Sequence, residues 1–232
     1  MIFLGLGQVY LSRPGYLREA EKMLHRGLNL CNQLGDKRGT AIAYSRLGHL
    51  ELKHKRYPKA IVFFQSARDL FADLKDMYYN VSGLIDEANL RYEQGQEQEV
   101  IRLAQEAAKL AKEYGFLHHA ARAQMWQADA LLRQGHIETG MQLYCETSKL
   151  VAENDFLMKE VLERVSKHIK HWEAEQPGLS YAFIQAMQRF WEQVDPQRQQ
   201  TIVWEWLTKV GEMAEVYRHL SGRNREGPPM IL

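Results

Sequence analysis

"RLGHLELKHKRYPKAIVFFQSA", residues 46–67, carries no phosphate loop and no metal-ligand spacing, yet small and aromatic residues recur along it in a fixed order. A period of about 20 to 50 residues decides a fold before any single residue does. Here the step is 40: Ala60, Phe64, Ala67 and Leu74 fall on Val100, Ala104, Ala107 and Tyr114, then on Gly140, Tyr144, Thr147 and Asn154. Ala20, Leu24, Gly27 and Leu34 give an earlier copy. The first half of each unit agrees as well, through Leu47-Gly48, Glu87-Ala88 and Gln127-Ala128, with Gly95 and Gly135 opposite Lys55. In the first copy Leu6 and Gly7 come one residue early, and the extra residue falls in the loop Ser12, Arg13, Pro14, Gly15.

Each unit reads as two helices. From Thr40 to Lys53 the residues Ala41, Tyr44, Leu47, Gly48 and Leu52 recur at helical spacing, with Arg46, Glu51 and Lys53 between them. "HKRYPK" interrupts the pattern, because Pro58 is tolerated in a first helical turn and not in an interior. A second helix from Pro58 to about Leu74 buries Ala60, Ile61, Phe64, Ala67, Leu70 and Phe71. Helices about 8 to 10 Å apart need short side chains where their backbones cross, which is the place for Gly48, Ala60 and Ala67. One such pair cannot cover both of its apolar faces, so the pairs stack.

The 232 residues carry 30 Lys+Arg against 29 Asp+Glu, interleaved along the chain. That balance excludes a field-driven binder of double-stranded nucleic acid. The short run Lys53, His54, Lys55, Arg56 reads as a solvated turn. Cys31 and Cys145 sit among apolar neighbours at helical positions and read as buried free thiols, which suits a reducing cytoplasm. "MIFLGLGQVYL" lacks a basic leader and follows the repeat, so it reads as structure. No apolar run reaches the roughly 18 to 20 residues that span a bilayer, so no membrane contact is expected.

With Tyr44, Leu47-Gly48, Ala60, Phe64 and Ala67 in this order, the chain resembles the tetratricopeptide repeat family. The 40-residue step and the junction "LGDKRGTAIAYSRLG" look like the longer repeats of bacterial STAND-type NTPase regulators and MalT-like activators. The resemblance implies an all-α fold: a superhelical solenoid of antiparallel helix pairs, closed by C-terminal capping helices. The repeats span 1–155, in units of about 1–40, 41–80, 81–120 and 121–155. Residues 156–220 form a degenerate repeat and aromatic-rich capping helices, and 221–232 form a flexible tail. No Walker motif G-x-x-x-x-G-K-[ST] occurs, so an NTPase or effector domain would lie elsewhere on a parent chain, from which a start at Met1 suggests this piece was cut.

Past Asp155 a helix runs through Leu157, Val161, Val165, Ile169 and Trp172 to the break at Gln176–Gly178. Another carries Phe183, Ile184, Met187, Phe190, Trp191 and Val194. Asp195 as N-cap and Pro196 at the first helical position open a last helix to about Leu220, striped by Ile202, Val203, Trp206, Leu207, Val210, Met213, Ala214, Tyr217 and Leu220. Trp204 lies off this stripe, as a neighbour contact or an interface anchor.

The chain offers no constellation for chemistry, and neither an enzyme nor a cofactor is expected. His168 and His171 stand at i, i+3 without a third ligand and read as a solvated face, and His118 and His119 read as loop residues. Asp86 and Glu87 read as exposed-face carboxylates rather than an acid/base pair held in an apolar pocket. The family's geometry places the first helix of each pair on the concave groove. Counted from Ala41, Val81 and Ala121, the groove places are Ser45, Arg46, His49 and Lys53, then Ile85, Asp86, Asn89 and Glu93, then Met125, Trp126, Asp129 and Arg133. The expected function is a protein or peptide interaction module, the scaffold or sensor array of a bacterial regulator. The alternative is a small-ligand-sensing repeat domain. Only Asn89 fits the pattern by which some such domains clamp a C-terminal carboxylate.

Overall fold

The computed structural model describes residues 2–175, 177–197 and 199–221; the tail reading at 222–232, and the side chains of α11 from Met213 onward, lie outside the described residues. Among the described residues all regular structure is helical: α1 (Ile2–Leu11), α2 (Leu17–Gln33), α3 (Lys37–Lys53), α4 (Tyr57–Asp73), α5 (Met77–Glu93), α6 (Glu97–Glu113), α7 (Leu117–Arg133), α8 (Ile137–Leu150), α9 (Asp155–Glu175), α10 (Pro177–Val194) and α11 (Thr201–Ser221). From α2 to α8 the helices start every 20 residues, so the 40-residue unit is two helices, of 17 residues each from α2 to α7, joined by three-residue turns.

Each turn closes in the same way. Two residues past each helix the chain enters the left-handed region, at Gly35, Lys55, Lys75, Gly95, Gly115 and Gly135. The next N–H reaches back to a carbonyl five residues earlier, as in Asp36 to Cys31 at 2.9 Å, Arg56 to Glu51 at 2.9 Å and Phe116 to Ala111 at 2.7 Å. This is the Schellman closure, which satisfies carbonyls that the helix end leaves open. Asp36 and Asp76 then cap the following helices by accepting from the N–H groups of Gly39 (2.8 Å) and Tyr79 (3.3 Å). The first loop, Ser12 to Tyr16, is longer, at five residues.

Two compact units divide the chain inside α7, at Met1–Ala130 and Leu131–Leu232. In the first, consecutive helices pack as antiparallel pairs, and α3 also packs on α1 and on α5, which is the layered arrangement of a helical-repeat solenoid. Glycines set the crossings. A Cβ on Gly48 would stand 2.5 Å from Phe64 Cε1, and one on Gly7 would stand 2.5 Å from Leu24 Cδ2. The Phe64 ring therefore lies directly on the backbone of α3, and Ala60, Ala67, Ala88 and Ala104 are buried around such crossings.

In the second unit α9, α10 and α11 pack on one another, and α8 packs on α9 and α10. Trp191, Tyr144 and Phe183 are fully buried there, and the Trp191 indole N–H donates to Ser148 Oγ at 3.1 Å. Cys145 is buried against Met187, and burial pushes its thiol up to about 12. Cys31 is a buried free thiol as well.

In the second unit two sequence expectations change. Pro196 does not open the last helix; it lies in a turn, and α11 begins at Thr201. Asp195 instead gathers the N–H groups of Gln199 (2.9 Å) and Gln200 (2.8 Å) and the Trp204 indole (3.0 Å). Burial raises its carboxyl, but these three donors outweigh that and hold it below the ordinary value. His168 is no solvated face either: it is half-buried beside the rings of Tyr144 (5.9 Å) and Trp172 (5.7 Å). No helix among the described residues is long and apolar enough to cross a membrane.

Candidate functional site

The first helices of the pairs leave a cavity of about 200 Å³ in the first unit. Its walls are Ser45, Arg46 and His49 of α3, Ser82, Gly83 and Asp86 of α5, and Arg122 of α7, over a floor from Phe64 and Phe71 of α4. The residues reach it by the helical period and by the 40-residue step together. Ile42, Ser82 and Arg122 hold one place in three successive copies, and all three line the cavity.

Asp86, an exposed-face carboxylate by its sequence spacing, is instead buried at this wall by the packing of α3 on α5. Ser45 Oγ donates to its Oδ2 at 2.8 Å, and His49 Nε2 donates to its Oδ1 at 2.9 Å. Burial presses the His49 imidazole toward its neutral form, but the Asp86 charge and the hydrogen bond more than offset it, against opposition from Lys53 and Arg122. The imidazole thus titrates above its ordinary value. It also meets the Phe64 ring edge-on at 5.2 Å and 75°. Serine, histidine and aspartate stand together here, but the hydroxyl proton of Ser45 is spent on Asp86 rather than aimed at His49. A relay that activates a serine needs that proton on the histidine, so the cluster orders a surface rather than a nucleophile.

Arg46 stands beside it, half-buried. Burial holds its guanidinium below the ordinary value, partly offset by Tyr79. On the outer side Arg68 pairs with Glu87 at 2.9 Å, and Glu87 is shared with Arg91 at 3.4 Å. Tyr79 stacks on Phe71 at 4.4 Å and 6°, forming an aromatic wall.

Of the residues singled out from sequence, the structure brings Ser45, Arg46, His49 and Asp86 to this one cavity. Lys53 and Glu93 are exposed at the last positions of α3 and α5, and Asn89 is half-buried one turn before Glu93. Met125 is fully buried, and Asp129 is 6% exposed. Trp126 is half-buried and packs with Tyr92 at 5.3 Å beside Ala88, Leu103 and Ala130. Arg133 is exposed and belongs to the second unit. Sequence reasoning passed over Ser82, Gly83 and Arg122. The signal was available, since Ser82 and Arg122 follow Ile42 at the repeat step. His119, read as a loop residue, is instead buried in the first turn of α7 against Tyr78 (4.3 Å) and Phe116. Its Nδ1 has no hydrogen-bond partner, and burial, with His118 and Arg122, pushes it down to about 4.

No group of three His, Cys, Asp or Glu among the described residues is placed to hold a metal ion. The family model of the tetratricopeptide repeat matches part of the first unit. Residues 1–73 match it. Tetratricopeptide repeats generally mediate protein–protein interaction and are typically non-catalytic. No curated protein matches the chain. Among solved structures, the crystal structure of BtubC (BKLC) from P. vanneervenii is similar, with a TM-score of 0.58 at 12% identity over 93% of this chain and 96% of that one. At that identity the likeness is one of fold.

Proposed function

We propose that this chain is a protein or peptide interaction module whose partner lies in the groove of the first unit. The observation that carries the reading is the ordered cavity wall of Arg46, His49, Ser45 and Asp86 on adjacent first helices. A half-buried set of charged and hydroxyl groups, fixed by its own hydrogen bonds, offers a partner donors that need little reordering on binding. Lys53, Asn89, Glu93 and Trp126 extend the contact along α3, α5 and α7. The wider setting fits a cytoplasmic scaffold or sensor array of a bacterial regulator, with repeats over 1–155 and an NTPase or effector domain on the same parent chain.

The test is affinity capture from the native cell with the full chain and with Gly83→Leu, which fills the cavity from a position whose added atoms meet nothing within 4 Å at the Cβ. A partner kept by the parent chain and lost with Gly83→Leu is expected. An identical partner set for both would overturn the groove.

The second reading, small-ligand sensing, rests on a different cavity of about 770 Å³ in the second unit, between α8 and α10. Ile137, Met141, Leu179 and Phe190 line it, and its size falls in the range of roughly 300 to 1,000 Å³ usual for such pockets. A metabolite that raises the melting temperature equally in the parent chain and in Gly83→Leu would favour it.

A further inference from the structure

Arg38, Arg56, Arg68, Arg91 and Arg102, on or near the surface, each meet a carboxylate at 2.9 to 3.4 Å. Arg46 is more enclosed than most of them and has no hydrogen-bond or ion-pair partner among the described residues. That inverts the usual order, because a guanidinium carries five N–H donors and leaving them unmatched costs more as water is withdrawn. The carboxylate that lines the same cavity does not serve it: Asp86 accepts from Ser45 and from His49, and Arg46 makes no bond to it. The cavity therefore holds a guanidinium with an open fork beside a carboxylate already bonded to Ser45 and His49.

Gly83 is a second, independent sign. It sits in the interior of α5 and lines the same cavity, but a Cβ there would meet nothing within 4 Å. Packing does not demand a glycine, and a helix interior is weaker for having one. What the glycine keeps is space in the cavity that Arg46 also lines. The space, about 200 Å³, lies below the roughly 300 to 1,000 Å³ of pockets that enclose free small molecules. It suits one side chain, with the Phe64 and Phe71 rings to pack its methylenes.

We propose that this cavity takes the side-chain carboxylate of a Glu or Asp in a peptide partner laid along the groove, with Arg46 as its bidentate anchor. The proposal rests on the interaction reading above and names its partner's chemistry. Arginine and carboxylate match as two parallel N–H···O bonds, a geometry lysine cannot reproduce.

The experiment uses the full chain and fluorescence polarisation against an arrayed library of labelled ten-residue peptides. Each peptide carries one central Glu or Asp and is paired with its Gln or Asn form and with a phosphoserine form. The tightest binders are expected to carry the carboxylate and to lose about tenfold or more on conversion to the amide, as for a charged hydrogen bond. In Arg46→Gln the acid and amide forms should bind equally at an unchanged melting temperature, and Arg46→Lys should recover only part of the preference. An acid preference that persists in Arg46→Gln, or a phosphoserine series that outranks the carboxylates, would overturn the proposal. Peptides that bind without acid preference yet are lost in Gly83→Leu would overturn it and leave the groove reading standing. Absence of any peptide binding would sink both.

Discussion

The two units solve the same packing problem with opposite materials. In the first, helices of 17 residues recur every 20 residues from α2 onward, and the crossings are made by glycine and alanine, so each pair meets the next in the same way. In the second, α8 to α11 run 14, 21, 18 and 21 residues, and the core is filled by Trp191, Tyr144, Phe183 and Trp172. Small residues permit repetition because backbones that touch fix the crossing geometry. Large rings fill whatever gap an irregular set of helices leaves, and their polar edges must then find partners, as Trp191 finds Ser148.

The largest test of that contrast is Trp191→Ala. Removing a fully buried indole, with its hydrogen bond to Ser148, is expected to cost about 3 to 5 kcal/mol, read as a fall in the denaturant midpoint. A cost under about 1 kcal/mol would mean that the aromatic core of the second unit is loosely filled. Next comes Gly48→Leu, the overfilling counterpart in the first unit. Phe64 stands where the new Cβ would go, so a loss of about 1 to 3 kcal/mol is expected, and an unchanged midpoint would deny the backbone-to-ring crossing. The smallest effect concerns the turns. Lys55 adopts φ 58, a conformation most of its sister turns assign to glycine. Lys55→Gly is expected to raise stability by about 0.5 kcal/mol, the relief of left-handed strain less the added freedom of the unfolded chain. A fall in thermal midpoint would show that the Lys55 side chain contributes more than its backbone costs.

The repeat was legible because it is written in residue size. A ring at Phe64 opposite a glycine at Gly48 can be read from spacing alone, and Pro58 marks the start of α4. Arg46, His49 and Asp86 were legible as a groove set through the repeat register, but their bonds were not. Ser45 and Asp86 are 41 residues apart, and only the stacking of α3 on α5 makes them neighbours. Long-range contact also hid His119, whose aromatic partner Tyr78 lies in another helix pair. The end of α10 misled for a local reason. Asp-Pro is a fair sign of a helix start, but the Asp195 carboxylate is satisfied by two N–H groups four and five residues on, which delays the helix to Thr201.

The uniform closure of the turns also bears on how the chain reaches its fold. In the first unit the helices pack on their neighbours and on the next pair, as α2 on α3, α4 on α5 and α3 on α1 and α5, so few residues must be looped out before each contact forms. Chains dominated by near-neighbour contacts fold fast, in microseconds to milliseconds, and can nucleate at any pair and zip outward. A register that repeats every 20 residues, with a stop signal at each turn, keeps that zipping from slipping: a helix that overran its end by one turn would lose its Schellman closure at once.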